Sequence, residues 1–267
     1  MRLVAVLSLL AILACPSPAQ VVPTSDPQAL SLAAQSIAAM TGKTAVSDIT
    51  LNATVTSIAG SDNFTGTAVL QAKGTAESRI DLNLNGTARS EIRAAVGGIP
   101  NGAWQKANAA EITSAAMQPY ALHNCWTDAA WFFPVLTSLG QTSNQNFIFS
   151  YIGSEQHAGF NVQHIRVYQV IPQDTKGRMQ TRRLSTMDFY LDPASSLPMA
   201  AAFTAHPDDD MNTDVLMEIR FADYRVVNGI QVPFHVQRLL NGGLSLDVVV
   251  TNVVFNSGLS DSAFNVQ

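Results

Sequence analysis

One short stretch of the sequence combines side chains that can act as a nucleophile or bind a metal. His123, Cys125 and Asp128 lie within six residues of one another. A thiol beside an imidazole can form a nucleophilic pair, and all three side chains are metal-ligand types. However, the spacing lacks the paired ligands of zinc sites, and a cysteine next to Trp126 is typical of a small buried hydrophobe. We therefore expect neither a catalytic nor a metal site here.

A second candidate is the acidic run at 206–214, which holds four aspartates. Calcium loops space their oxygen ligands regularly and use glycine at the bend, and this run does neither. The sequence also lacks H-E-x-x-H, G-x-S-x-G, S-x-x-K, phosphate-loop and dinucleotide-binding motifs. We expect no enzyme and no cofactor, and an unrecognised hydrolase or metal enzyme stays as a third alternative.

The middle of the chain offers hydrophobic rather than polar chemistry. Residues 126–140 form a segment in which Thr127 or Asp128 can cap a helix and Gly140 can end it. Large apolar side chains lie on most sides of this segment, and they are Trp126, Trp131, Phe132, Phe133, Leu136 and Leu139. They either line or cover an apolar groove, or they form ordinary core packing. In a groove, each buried methylene contributes roughly 0.8 kcal/mol.

The rest of the chain, which must position this segment, is predicted to form mainly strands. Residues 215–256 alternate between apolar and polar and contain two turns, at Asn228-Gly229 and at Asn241-Gly242-Gly243, which predicts an antiparallel meander. Further strands are predicted at 48–58, 64–73, 77–84, 90–96, 147–153, 160–171, 181–192 and 197–205. Helices are predicted at 27–41, after the cap Asp26, and at 107–117. The fold class is mainly β, an antiparallel sheet with an N-terminal helix and one or two middle helices.

The first residues predict export. Met1-Arg2 precedes an apolar run at 3–14 that is too short to span a bilayer, and small residues precede Gln20. We expect a signal peptide at 1–19 and one domain at 20–267, in the periplasm or secreted. Residues 12–15 also match a lipobox, so membrane anchoring through an acylated Cys15 is the alternative. In both cases Cys125 has no disulfide partner.

Charge excludes one class of partner. Only 13% of the residues are charged, the net charge is −5, and the isoelectric point is near 5.4. No run of basic residues occurs anywhere. The sequence therefore argues against a nucleic-acid-binding protein.

The order of the elements resembles the LolA and LolB superfamily of lipoprotein carriers. The similar pieces are the hairpin at 66–70 leading to an arginine-bearing strand at 78–82, the glycine–tryptophan step Gly102-Ala103-Trp104-Gln105, and the segments at 151–160, 189–198 and 221–233. The resemblance implies a single curved antiparallel sheet, a half-barrel, whose apolar concave face is covered by the N-terminal helix and one or two middle helices. It also implies that acyl chains bind between the sheet and these helices. It also implies that Arg79 matches an arginine that holds the helical lid.

Together these patterns predict an exported bacterial envelope protein that binds or carries a lipid or a lipoprotein acyl chain in an apolar groove. The alternative is a non-enzymatic interaction module with a filled core, whose partner is another envelope protein. A carrier should contain a cavity of ligand size, whereas a module should not.

Overall fold

The computed structural model describes residues 23–97, 99–108, 117–127, 129–171 and 178–266. The predicted signal peptide, Asp128 and most of the predicted helix at 107–117 lie outside these ranges. Within them, no helix is long and apolar enough to cross a membrane.

In the described part of the chain, thirteen strands make up one antiparallel sheet. In chain order they are β1 (Asp48–Ala59), β2 (Asp62–Lys73), β3 (Glu77–Leu84), β4 (Thr87–Val96), β5 (Ile99–Asn108), β6 (Gln118–Pro119), β7 (Phe147–His157), β8 (Phe160–Gln169), β9 (Met187–Leu191), β10 (Pro198–Ala205), β11 (Val215–Val227), β12 (Ile230–Leu240) and β13 (Gly243–Phe255). Their order across the sheet is β6-β5-β4-β3-β2-β1-β13-β12-β11-β10-β9-β8-β7, so the first and last of these strands, β1 and β13, pair with each other.

The predicted N-terminal helix is confirmed as α1 (Pro27–Thr41). The carboxylate of Asp26 accepts a hydrogen bond from the backbone N–H of Gln28 at 2.7 Å, and Pro27 occupies the first turn. Gly42 ends the helix at φ 59°, a conformation that other residues rarely adopt. The buried face of α1 carries Ala29, Ala33 and Met40 into the central core.

The sheet is strongly curved but is not closed into a barrel, as the sequence predicts. α1 packs against both β12 and β7, which are five positions apart in the strand order. In a flat sheet these strands would be separated by about 24 Å, more than twice the diameter of a helix. The two limbs of the sheet therefore bend around α1 and enclose the core.

The segment at 126–140 differs from the single α-helix that its spacing predicts. It consists of turns and two 3-10 helices, Pro134–Leu136 and Ser138–Gly140. Pro134 cannot donate a backbone hydrogen bond, and it is placed at a 3-10 start where no donor is needed. The Thr137 hydroxyl then donates to the Pro134 carbonyl at 2.6 Å and accepts from the N–H of Leu139. Side-chain hydrogen bonds thus replace the helical ladder.

Two other predictions need correction. A strand was expected at 181–192, but Arg178–Ser185 forms a helix, α2, and the strand β9 begins at Met187. Thr181, Leu184 and Ser185 are buried at helical spacing, and tertiary packing against β8 selects this face. The helix expected from residue 107 is also wrong at its start, because Ala107 and Asn108 pair with β4 as part of β5.

The outer face of β3 and β4 is covered by the end of the chain. The 3-10 helix Asp261–Phe264 packs there, and Phe264 is buried. Upstream of it, the buried carboxylate of Asp48 accepts hydrogen bonds from the backbone N–H groups of Ser257 and Gly258. These contacts tie the C-terminal segment to the first strand.

Candidate functional site

A cavity of about 470 Å³ lies between the two limbs of the half-barrel, with β3 and β4 on one side and β10, β11 and β12 on the other. The apolar side chains that line the cavity come from both sides of it and from the segment at 126–140, and together they are called the apolar wall: Ile80, Ala129, Trp131, Phe203, Met217 and Leu240. The charged side chains that line the same cavity are Arg89, Glu91, Arg93, Arg238 and Asp208. Apolar and charged surfaces therefore meet inside one space.

A second cavity of about 500 Å³ lies near the start of α1, next to residues 142–148. Its floor is apolar and includes Leu30, Phe147 and Val170. The described residues that line it include no charged side chain. The first cavity is therefore the one in which the chain concentrates its chemistry.

The register of β3 and β4 explains why charges point into the half-barrel. Ile80 pairs directly with Glu91, and Leu82 pairs with Arg89. Directly paired residues share one face of the sheet, and Ile80 and Leu82 face the core. β4 therefore places Arg89, Glu91 and Arg93 on the inner face, where β3 carries mainly apolar residues.

Glu91 is the centre of this charged group, and its side chain is only 13% exposed. Its carboxylate lies 3.0 Å from Nη2 of Arg89 and 3.6 Å from Nη1 of Arg238. Burial alone would raise the pKa of Glu91, but Arg238, Arg89 and Arg93 together hold it below its ordinary value. Glu91 is therefore ionised at neutral pH despite its burial.

The contact between Glu91 and Arg238 also joins the two limbs. Their strands, β4 and β12, are five positions apart in the sheet. Arg238 takes an inner-face position between Ile219 and Leu246, both of which are buried. An arginine in this apolar neighbourhood needs a counter-charge, and only the curvature of the sheet brings Glu91 within reach.

Each of the three cavity arginines lies over an aromatic ring. The guanidinium carbon of Arg93 is 3.7 Å from the ring centre of Tyr120, and that of Arg238 is 5.4 Å from the ring centre of Trp131; both rings also line the cavity. The guanidinium carbon of Arg89 is 5.5 Å from the ring centre of Trp104. These distances are in the range of cation–π interactions, which hold the planar side chains in place.

Gly102 makes room for the Arg93 pair. A Cβ atom at position 102 would lie 2.8 Å from Nη1 of Arg93 and 3.1 Å from the ring of Tyr120. Close packing of Arg93 and Tyr120 therefore explains why the glycine–tryptophan step has glycine at position 102. This glycine allows the guanidinium to lie between the backbone of β5 and the tyrosine ring.

Two donor atoms of these arginines have no acceptor among the described residues. They are Nη1 of Arg93 and Nε of Arg238, and both atoms are buried. Buried donors without acceptors are unusual, because each loses its hydration without a replacement. The group therefore has unused hydrogen-bonding capacity for an anion.

The rim of the cavity is polar and carries one more carboxylate. Asp208 is exposed, and its Oδ1 accepts hydrogen bonds from the Ala121 N–H and the Asn124 amide. His206 is buried beside it, and its Nε2 lies 3.0 Å from Asp214. Burial and then the charge of Arg183 lower the pKa of His206, so the imidazole is neutral at pH 7.

The six apolar residues predicted from the sequence take different places. Phe132, Phe133, Leu136 and Leu139 are buried in the central core. Trp131 belongs both to this core and to the cavity wall. Trp126 is half-buried and lines a smaller cavity of about 190 Å³ next to Cys125. Their roles toward a ligand stay predictions.

Arg79 lies on the face of β3 opposite to Ile80. Its Nε is within 3.0 Å of both carboxylate oxygens of Asp81, and Nη1 donates to the Ala263 carbonyl. These contacts hold the C-terminal turn. The resemblance implies that Arg79 holds a helical lid, and this role stays a prediction.

The His123 and Cys125 side chains bond to separate backbone groups. The imidazole Nε2 donates to the Pro207 carbonyl at 2.9 Å, and the thiol lies 3.5 Å from the Ala121 carbonyl. Burial raises the pKa of the Cys125 thiol, which disfavours the reactive thiolate. The described residues contain no group of three metal-binding side chains.

Sequence reasoning missed the charged residues of the cavity. The signal was present in the strand itself, as Arg89-Ser90-Glu91-Ile92-Arg93 places three charges at the period of two that puts them on one face. Arg238 gave a weaker signal, a lone arginine in phase with the apolar residues of β12. Which face was the inner one depended on the register with β3.

Comparison with known proteins supports the fold. No family model and no curated protein matches the chain. Solved structures do, and one is named as an outer membrane lipoprotein-sorting protein domain from Vibrio parahaemolyticus, at 13% identity and a TM-score of 0.53, covering 89% of this chain and 96% of that one. A second is a DUF1329 family protein from Desulfovibrio piger, at 13% identity and a TM-score of 0.54, with the same coverage of 89% and 96%.

A third is a LolA superfamily protein from Nitrosomonas europaea, at 9% identity and a TM-score of 0.50, covering 89% of this chain and 97% of that one. The three similarities extend over nearly the whole described sheet, and their low identities make this a statement about architecture. The chain therefore shares the fold of these three solved structures.

Proposed function

We propose that the protein is an exported bacterial envelope protein that binds a lipid or a lipoprotein acyl chain in the cavity between its two limbs. The observation that carries the proposal is the cavity itself, with its wall of Ile80, Trp131, Phe203, Met217 and Leu240. Its volume of about 470 Å³ lies within the usual range of small-molecule sites, roughly 300–1,000 Å³.

The segment at 126–140 is the part of the fold that can enlarge this space. It lies between α1 and the sheet, and its short 3-10 helices lack the continuous hydrogen bonding of an α-helix. Trp131 connects it to the cavity wall. Displacement of this segment would expose the inner apolar face, and ten buried methylenes would then contribute on the order of 8 kcal/mol before the entropy of association.

Native mass spectrometry of the exported protein, followed by organic extraction, tests this proposal. We expect a co-purifying lipid, or uptake of an added phospholipid or acylated peptide. Leu240→Asp should abolish uptake, because it places a charge in the apolar wall at a half-exposed position that tolerates substitution.

Val226→Asp is the matched control, because Val226 is an exposed β-strand valine outside the cavity. It should leave uptake unchanged. An apo mass for the wild type, with no uptake of either probe, would contradict lipid binding.

A filled core favours a second candidate function, an envelope interaction module. Phe132, Phe133 and Leu139 occupy the centre of the half-barrel and are fully buried. Such a filled core is what we expect of a protein that works through surface contacts with a partner and binds no ligand in its interior. Failure of lipid uptake together with capture of an envelope protein would support this alternative.

A further inference from the structure

The charged side chains that line the cavity have no role in burying an acyl chain. Three arginines, two carboxylates and one neutral histidine line it. Of the carboxylates, Asp208 lies at the exposed rim, so Glu91 is the buried counter-charge to three guanidinium groups. The interior of the cavity therefore carries an excess of positive charge.

We propose that these charged side chains bind the oxyanion head of an anionic lipid, a phosphate or a carboxylate, while the chain of the lipid lies against the apolar wall that includes Trp131. The inference rests on the proposed function and names the class of lipid that it favours. Arg93 and Arg238 are the residues that recognise the head, because each has a buried donor without an acceptor.

The geometry of the arginines is suited to binding an anionic head group. Guanidinium groups bind phosphate and carboxylate with paired hydrogen bonds when their planes are held in place. Tyr120 and Trp131 hold the planes of Arg93 and Arg238, and Gly102 leaves the space that Arg93 needs. The head site is thus preorganised before a ligand enters.

The position of the site also fits an amphiphile. Arg238 lies over the ring of Trp131, and Trp131 continues into the apolar wall. A head bound at Arg238 would therefore place the first carbons of its chain on an apolar surface. A free inorganic anion would use the arginines but not this wall.

Substitutions of Glu91 and of the arginines should change the affinity for an anionic lipid in opposite directions. Its carboxylate competes with an incoming anion for Arg89 and Arg238. Glu91→Gln should therefore strengthen binding of an anionic lipid, whereas Arg93→Gln and Arg238→Gln should each weaken it roughly tenfold to a hundredfold. Structural damage to the cavity would weaken binding in all three variants.

The experiment measures binding of phosphatidic acid, diacylglycerol with the same chains, oleic acid and inorganic phosphate to the exported full chain. Arg225→Gln serves as the control, because Arg225 is exposed and pairs with Asp223 outside the cavity. Circular dichroism and thermal unfolding identify the variants that remain folded. We expect phosphatidic acid and oleic acid to bind at least tenfold more tightly than diacylglycerol, with the opposite effects of Glu91→Gln and Arg93→Gln.

Equal binding of diacylglycerol and phosphatidic acid, unchanged in the arginine variants, would overturn the head site while lipid binding stands. Binding of inorganic phosphate as tightly as phosphatidic acid would assign the arginines to a free anion and also overturn it. Failure of every lipid would contradict the proposed function itself.

Discussion

At the scale of single residues, the cavity depends on how one buried carboxylate is neutralised. Glu91 lies on the inner face of the sheet, beside Arg89 and Arg93 of the same strand, and Arg238 reaches it from β12. Removing one partner of such a group leaves an uncompensated buried charge. Removal of either Glu91 or Arg238 should therefore destabilise the fold.

The lowered pKa of Glu91 predicts how stability depends on pH. Its ordinary value is 4.5, and the folded value is lower because the arginines outweigh burial. A carboxyl group with a depressed folded pKa stabilises the fold above its unfolded pKa, and this contribution disappears as pH falls through the folded value. We expect wild type to be more stable than Glu91→Gln at pH 7, and the difference to shrink below pH 4.5.

Urea unfolding of both proteins at several pH values between 3 and 7 measures this difference, in steps of about one unit. Asp48 and Asp188 also have lowered pKa values, opposed by burial in both cases, but they are present in both proteins and cancel in the comparison. A constant difference over the whole range would show that the Glu91 charge does not stabilise the fold.

At the scale of elements, the segment at 126–140 shows how a sequence can specify burial without a regular helix. Its aromatic residues are buried as their density indicates, and Pro134 and Thr137 divide it into short 3-10 turns. α2 shows the converse, since a stretch compatible with a strand becomes a helix when Leu184 packs inward. In both places tertiary packing selects among local conformations.

The burial of Phe132 predicts a large effect on stability. Phe132→Ala removes a fully buried ring next to Trp131 and leaves a cavity in the centre of the half-barrel. We expect the free energy of unfolding to fall by about 3–5 kcal/mol. Urea unfolding followed by circular dichroism measures it.

Leu122→Ala is the control for this change. Leu122 is exposed and precedes the same segment, so its truncation should change the free energy by no more than about 0.5 kcal/mol. A comparably small effect of Phe132→Ala would mean that the segment does not pack in the core under those conditions.

At the scale of the whole molecule, one sheet and one main core join residues from both ends of the chain. The main core contains Ala33 of α1, Ile80 of β3, Phe189 of β9 and Val248 of β13. β1 and β13 pair side by side, so the first and last long strands of the sheet stabilise each other. No part of the described sheet has a core of its own that matches this one in size.

This shared core predicts cooperative unfolding. Tryptophan fluorescence reports on Trp104 in β5, on Trp126 and on Trp131 in the core, whereas far-ultraviolet circular dichroism reports on the whole sheet. We expect the two urea transitions to coincide, because the limbs cannot unfold separately without exposing the common core. Separate midpoints would show that the limb carrying β3–β6 unfolds by itself.

Local patterns in the sequence were sufficient for the class of fold. Alternation and the Asn-Gly turns predicted the β11–β13 meander, and Asp26, Pro27 and Gly42 predicted both ends of α1. These signals are short-range, because a cap, a turn or a strand face is specified by residues close in the chain. The aromatic segment was likewise recognisable as buried, although its conformation was not.

Only the tertiary structure decided which side chains share the cavity. Arg93, Glu91 and Arg238 are separated by up to 147 positions (238 − 91) and meet only when the sheet bends. The resemblance pointed to Arg79, which lies on the outer face of β3, where it contacts Asp81. The arginines of β4 lie on the inner face. A shift of one residue in register would exchange these faces. Register and curvature are long-range properties, and together they determine the chemistry of the site.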